Sequence, residues 1–157
     1  MRKLWITAGA ILFMAACNSS HSEKSGQDPL KEVKDAIAES NALYFNSFVK
    51  NDSSIFMNRH AEDACILAPN ETAQCGQQAA AEFFRMAYQD FGLRNGKFIT
   101  TEVYGDGKEY ATEEGLWQSF DANGTLLDDG KFLVLWKKTK SGWRMYRDSF
   151  SSNRNKK

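Results

Sequence analysis

The sequence predicts an α+β domain, because its periodicity changes once along the chain, from helical to strand. Up to residue 91, apolar side chains recur at spacings of three and four. Beyond it, apolar runs of strand length are parted by Gly105-Asp106-Gly107, Asn123-Gly124 and Ser141-Gly142. Helices followed by an antiparallel meander imply helices packed on one face of a sheet.

Each element has its own signal. Asp28-Pro29 opens the first helix, with Asp as N-cap and Pro at the first helical position. Leu30, Val33, Ile37, Asn41, Tyr44 and Phe48 then form one mostly apolar stripe. Asn51-Asp52 interrupts it, and Asp52 caps a short second helix carrying Ile55 and Phe56. Residues 64–68 read as a short buried strand that Pro69 stops. A third helix fits Gln77 to Phe91, with Ala80, Phe83, Phe84, Ala87, Tyr88 and Phe91 on one face. Gly and Asn accept positive φ at little cost, so the later turns divide the chain into strands at about 97–104, 109–120, 126–138 and 143–151. Two of these exceed the usual strand length and are expected to bend or bulge.

The first residues carry a different signal. Arg2 and Lys3 precede an uncharged, mostly apolar stretch from Leu4 to Ala16, which closes on Ala15-Ala16 directly before Cys17. This is the secretory pattern of basic start, apolar middle and small-residue cleavage site. Its roughly 13 residues are too few for a permanent membrane span, which needs about 20. Met14-Ala15-Ala16-Cys17 resembles the bacterial lipobox. That resemblance implies a signal peptide over 1–16, cleavage before Cys17 and lipidation of its thiol. It also implies attachment to a membrane of the bacterial cell envelope, facing the periplasm or the exterior. Residues 17–28 hold no large apolar side chain and are expected to form a flexible polar tether. The folded domain is expected over 29–152, with 153–157 a frayed tail.

Composition excludes several functions. Twenty basic residues balance twenty acidic ones, and without Arg2 and Lys3 the balance is 18 to 20. No basic stripe points to nucleic acid. Of two histidines, His21 lies in the tether and His60 follows the second helix. His60, Glu62 and Asp63 lack metal-ligand spacing and read as a solvated loop, so neither a metal nor a cofactor is expected. No phosphate-binding loop or nucleophile elbow occurs. Once Cys17 is lipidated, Cys65 and Cys75 remain, an even pair that in an exported domain suggests a disulfide. The other reading is a buried strand Cys beside an unrelated thiol, and the sequence leaves both open.

The order of motifs is distinctive. Ala61-Glu62-Asp63-Ala64-Cys65-Ile66-Leu67 is followed by a Pro, Gly76, the third helix and four strands. The last two strands carry Gly130-Lys131-Phe132-Leu133-Val134-Leu135-Trp136-Lys137-Lys138 and Gly142-Trp143-Arg144-Met145-Tyr146-Arg147-Asp148. Together these resemble the SnoaL-like branch of the nuclear transport factor 2-like superfamily, which also contains ketosteroid isomerases. The resemblance covers about residues 30–152 and implies a cone. A strongly curved sheet wraps a long helix and leaves an apolar cavity open at one end, the default binding site. It also implies that a homodimer through the convex sheet face is an available assembly.

Ketosteroid isomerases carry a catalytic Asp directly before a Pro on the strand after the second helix. Here the matching residue is Ala68, before Pro69. Alanine takes no proton, so the reading leans away from an enzyme. Tyr44 matches an oxyanion-binding Tyr of that family, or is a core Tyr with its hydroxyl at the rim. Asp148 shares its alternation phase with Arg144 and Tyr146. Facing inward it is a semi-buried acid able to bind a polar group or act as a base; facing outward it is a surface charge, and the pattern does not decide. Trp117, Phe132 and Trp136, with Phe48, Phe84 and Tyr146, complete the candidate pocket lining, although each also suits an ordinary core. Glu113 and Glu114 are strand neighbours pointing to opposite faces, so they cannot form an acid/base dyad. The expected function is binding of a small, mostly apolar molecule by an envelope-anchored domain. The alternatives are an isomerase- or cyclase-like enzyme acting on a polyketide or steroid-like substrate, and a dimeric assembly module of the envelope.

Overall fold

The structure, a computed structural model, describes residues 28–154. The signal, Cys17 and the tether up to residue 27 lie outside the described residues. The elements are α1 (Lys31–Lys50), α2 (Ser53–Met57), β1 (His60–Leu67), β2 (Gln74–Cys75), α3 (Gln77–Gln89), β3 (Asn95–Gly105), β4 (Tyr110–Phe120), β5 (Leu126–Thr139) and β6 (Gly142–Ser152). The strands form one sheet in the order β2-β1-β6-β5-β4-β3. Among the described residues, no helix is long and apolar enough to cross a membrane.

Local chemistry sets the helix ends. Asp28 Oδ1 accepts the Leu30 N–H at 2.9 Å, but the cap position is Leu30, without a side-chain cap, and Pro29 lies in the turn before the helix rather than at its first position. Asn51 closes α1 in the left-handed conformation, φ 52° and ψ 45°. Asp52 Oδ1 accepts the Ser54 N–H at 2.9 Å and starts α2. The stripe of α1 delivers Val33, Ile37, Tyr44 and Phe48 to the interior. There Phe48 stacks on Phe84 of α3, ring centroids 4.6 Å apart, and both pack with Phe56 of α2.

Strands β3 to β6 form the antiparallel meander that the turns predict. Two features depart from the sequence reading. Strand β1 begins at His60 rather than near residue 64, and it pairs parallel to β6, so the sheet is not wholly antiparallel. Strand β2, too short for any periodicity, pairs with β1. A parallel partner so distant in sequence leaves no turn signal, so the sequence carries no sign of the pairing.

The long strands bend through register shifts between Thr100 and Glu102, Ser119 and Phe120, and Leu135 and Trp136. The last shift matters most for the site. Trp136 pairs with Met145 and Leu135 with Arg147, so Tyr146 is the extra residue of a bulge in β6. Alternation reverses across it: Trp143 and Met145 are buried before the bulge, and Asp148 after it. A glycine tightens the same region. A Cβ on Gly115 of β4 would stand 2.5 Å from both Phe132 Cζ and the Ile99 carbonyl oxygen, so only glycine lets the Phe132 ring lie against the strand.

Cys65 and Cys75, opposite each other on β1 and β2, form a disulfide with a sequence separation of 10. It closes the loop that carries Ala68 to Glu71. In the chain-entropy account a loop of this size contributes about 2.5–3 kcal/mol. The double substitution Cys65→Ser, Cys75→Ser is therefore expected to lower the unfolding free energy by about that amount in urea titrations. A midpoint within error of the oxidised parent would refute this expectation.

Candidate functional site

The concave face of the sheet, the inner faces of α1 and α3, and the 68–71 segment enclose a cavity of about 550 Å³. Its walls are aromatic and touch one another in sequence. Tyr44 packs edge-on to Phe98 at 4.8 Å, and Phe98 to Phe132 at 5.1 Å. Trp117 meets Phe150 at 5.7 Å, and Phe150 meets Phe83 at 6.1 Å. The Trp117 indole N–H donates to the Ser151 carbonyl at 3.1 Å, which fixes the ring plane across β4 and β6. Asn70, Glu71, Phe91 and Arg154 are exposed lining residues and mark the mouth.

Three buried residues bring polar groups to these apolar walls: Tyr44 and Asp148, each 7% exposed, and Ser119, 8% exposed, whose hydroxyl donates to the Asp128 carbonyl at 3.2 Å. Asp148 lies in mid-sheet, between Val134 of β5 and Ile66 of β1. No described group donates a hydrogen bond to its carboxylate; the nearest basic group is His60 Nε2, 3.8 Å from Oδ2. His60 is held from behind. Its Nδ1 lies 3.1 Å from the Phe56 carbonyl oxygen, which can only accept, so Nδ1 carries the hydrogen. Burial, and after it the Asp148 charge, raise the Tyr44 hydroxyl well above its ordinary pKa. Tyr44 is therefore a neutral hydrogen-bond donor at physiological pH.

Behind this pair lies a sealed charge cluster. The Arg59 guanidinium is 4% exposed, with Cζ 5.4 Å from the Tyr44 ring centroid. Its Nε and Nη1 have no partner, and Nη2 reaches only the Met145 sulfur at 3.9 Å. Burial pushes its pKa down to about 10, opposed by Tyr44, Asp148 and Glu113, so it stays charged at neutral pH. Glu113 is fully buried and takes three donors. Thr100 Oγ1 lies 2.6 Å and Asn41 Nδ2 2.7 Å from Oε1, and Trp136 Nε1 lies 3.0 Å from Oε2. Burial raises its pKa more than these bonds and Arg59 lower it.

The candidate lining divides accordingly. Tyr44, Trp117, Phe132 and Asp148 line the cavity. Phe48, Phe84 and Trp136 do not: they are packed solid inside the core, and Trp136 is committed to Glu113. Tyr146 is also not in the cavity, because the bulge turns it to the outer face. There Arg147 stacks on its ring at 3.7 Å and Lys137 at 4.6 Å. His60 is a buried strand residue, not part of a solvated loop, while its neighbours Glu62 and Asp63 are exposed. Two polar interior residues, Arg59 and Glu113, escape the sequence reading as site residues. Glu113 shares its phase with Ala111, Gly115 and Trp117, the small and aromatic inward residues of β4, and that alternation is the available signal. Among the described residues, no group of three or more His, Cys, Asp or Glu could hold a metal.

No protein-family model matches the sequence, and no curated protein matches it. Solved structures do match. A ketosteroid isomerase-like protein from Erwinia carotovora atroseptica superposes with a TM-score of 0.64 at 18% identity, covering 80% of this chain and 99% of its own. An NTF-2 like protein of unknown function from Shewanella oneidensis gives 0.64 at 18% identity, with 76% and 98% covered. A nuclear transport factor 2-like superfamily protein from Salmonella enterica gives 0.61 at 19% identity, with 80% and 94% covered. At these identities the likeness establishes the fold, which is the nuclear transport factor 2-like α+β cone.

Proposed function

We propose that this chain is a binding protein that holds a small, mostly apolar molecule in the cone cavity, working from a lipid-anchored position in the bacterial envelope. One observation carries the reading: a cavity of about 550 Å³, walled by aromatic rings, into which the nearly buried Tyr44 and Asp148 bring polar groups. Binding sites for small molecules have this form, predominantly apolar walls with a few convergent polar groups. Ala68 lines the same cavity and brings no proton-accepting group, so the isomerase-type base is absent from its expected place. The anchor rests on Met14-Ala15-Ala16-Cys17 and the signal before it.

Native mass spectrometry of the full chain, purified from a bacterial host, tests the binding role. A reproducible small-molecule adduct is expected, lost on denaturation and replaced by an aromatic or polycyclic ligand that raises the melting temperature. A chain free of adduct and unshifted by a broad apolar metabolite library would sink the reading.

A further inference from the structure

The polar groups of the cavity also discriminate among ligands, a selectivity that presupposes the binding role proposed above. We propose that the bound molecule carries a hydrogen-bond donor on its inner end, an ammonium in its strongest form or a hydroxyl, and that carboxylates are rejected. The first ground is Asp148. Its carboxylate can only accept, it is 7% exposed, and no described group of the protein donates to it. The carboxylate opens onto the cavity, where water can answer it, so a bound molecule that displaces that water must bring a donor of its own. His60 does not fill that role: its Nε2 stands 3.8 Å from Asp148 Oδ2, beyond hydrogen-bond reach, and its Nδ1 is turned to the Phe56 carbonyl oxygen.

The second ground is where the cations are. Arg154 is the one cationic lining residue among the described residues, and Asp128 already faces it, Nε to Oδ1, at 3.8 Å. Glu71 and Asp148 are left without a cation in the lining. The buried Arg59 does not supply one, because its unpartnered Nε and Nη1 are closed off from the cavity surface behind Tyr44. A carboxylate entering this space meets negative charge and finds no free cation. An ammonium meets Asp148 and the negative faces of the surrounding rings, the arrangement that attracts cations to aromatic walls. A hydroxyl satisfies Asp148 by donating and can accept from Tyr44.

Three probes of one shape separate these cases: 2-naphthylmethylamine, 2-naphthalenemethanol and 2-naphthoate, titrated calorimetrically into the full chain at neutral pH. The amine is expected to bind at least roughly tenfold more tightly than the carboxylate, with the alcohol between them. In Asp148→Asn the amine's advantage is expected to shrink to about threefold or less. Equal affinities for the three probes, or a preference for 2-naphthoate, overturn the donor-head inference while leaving the cavity a binding site. Absence of binding by all three, with the protein folded, overturns the binding role and this inference together. The wild-type series decides the question even where Asp148→Asn fails to fold.

Discussion

Glu113→Leu is expected to lower the unfolding free energy by about 3–5 kcal/mol, the range for breaking a buried, hydrogen-bonded charge cluster from one side. Leucine has a suitable size but answers none of the three donors. Asn41 Nδ2, Thr100 Oγ1 and Trp136 Nε1 all lose their acceptor. The half-buried Asn41 and exposed Thr100 can turn to water, but the Trp136 N–H is fully buried, and Arg59 loses one of its two compensating carboxylates. Glu113→Gln is the milder change, at about 1–3 kcal/mol. Its carbonyl still accepts from Thr100 and Asn41, but its NH₂ faces the Trp136 N–H donor to donor. The pH dependence has a definite sign. A carboxyl whose folded pKa is raised binds its proton more tightly in the folded state. Its contribution is fully present below the ordinary value of 4.5 and is lost as pH rises through the raised folded value. The advantage of wild type over Glu113→Gln should therefore shrink with rising pH across that window. Urea titrations of both proteins at several pH values measure it, and a flat or growing difference would exclude a raised folded pKa.

The local elements were legible because their signals are local. Asp28, Asp52 and the Gly-containing turns act over a few residues, and strands β3 to β6 lie within about two residues of the ends those signals imply. The site was only half legible, since its decisive features join distant parts of the chain. Strict alternation puts Asp148 in phase with Arg144 and Tyr146, and one bulged residue opposite the Leu135–Trp136 step reverses that phase. The parallel pairing of β1 with β6 buries His60, which the polar neighbours Glu62 and Asp63 disguise as loop. Asn41 tells the same story in reverse. A polar residue in an apolar helical stripe looks like a flaw until its partner, the buried Glu113 on β4, is known. Polar interior residues are explained by partners, and partners separated by most of a domain leave no mark in a short window of sequence.

Phe48→Ala distinguishes cavity wall from core, the division that sequence could not make among the aromatic residues. Phe48 has no exposed surface and no place in the cavity lining, and its ring is surrounded by Phe84, Phe56, Tyr44 and Phe45 at centroid distances of 4.6, 5.8, 5.9 and 6.4 Å. Truncation removes the transfer energy of the ring and leaves a void that rigid neighbours on three helices cannot readily fill. The expected loss is about 3–5 kcal/mol, with the melting temperature falling by roughly 10 °C or more. Affinity for an apolar probe, measured where the variant is still folded, should change by less than about threefold, because the cavity walls are untouched. Trp117→Ala is expected to do the opposite. Its ring is a half-buried cavity wall, so probe affinity should drop by about tenfold or more while stability falls less than in Phe48→Ala. If Phe48→Ala instead costs under about 1 kcal/mol and abolishes binding, the aromatic cluster of α1 and α3 is itself a binding wall, and the boundary between core and cavity lies one layer deeper than the fold indicates.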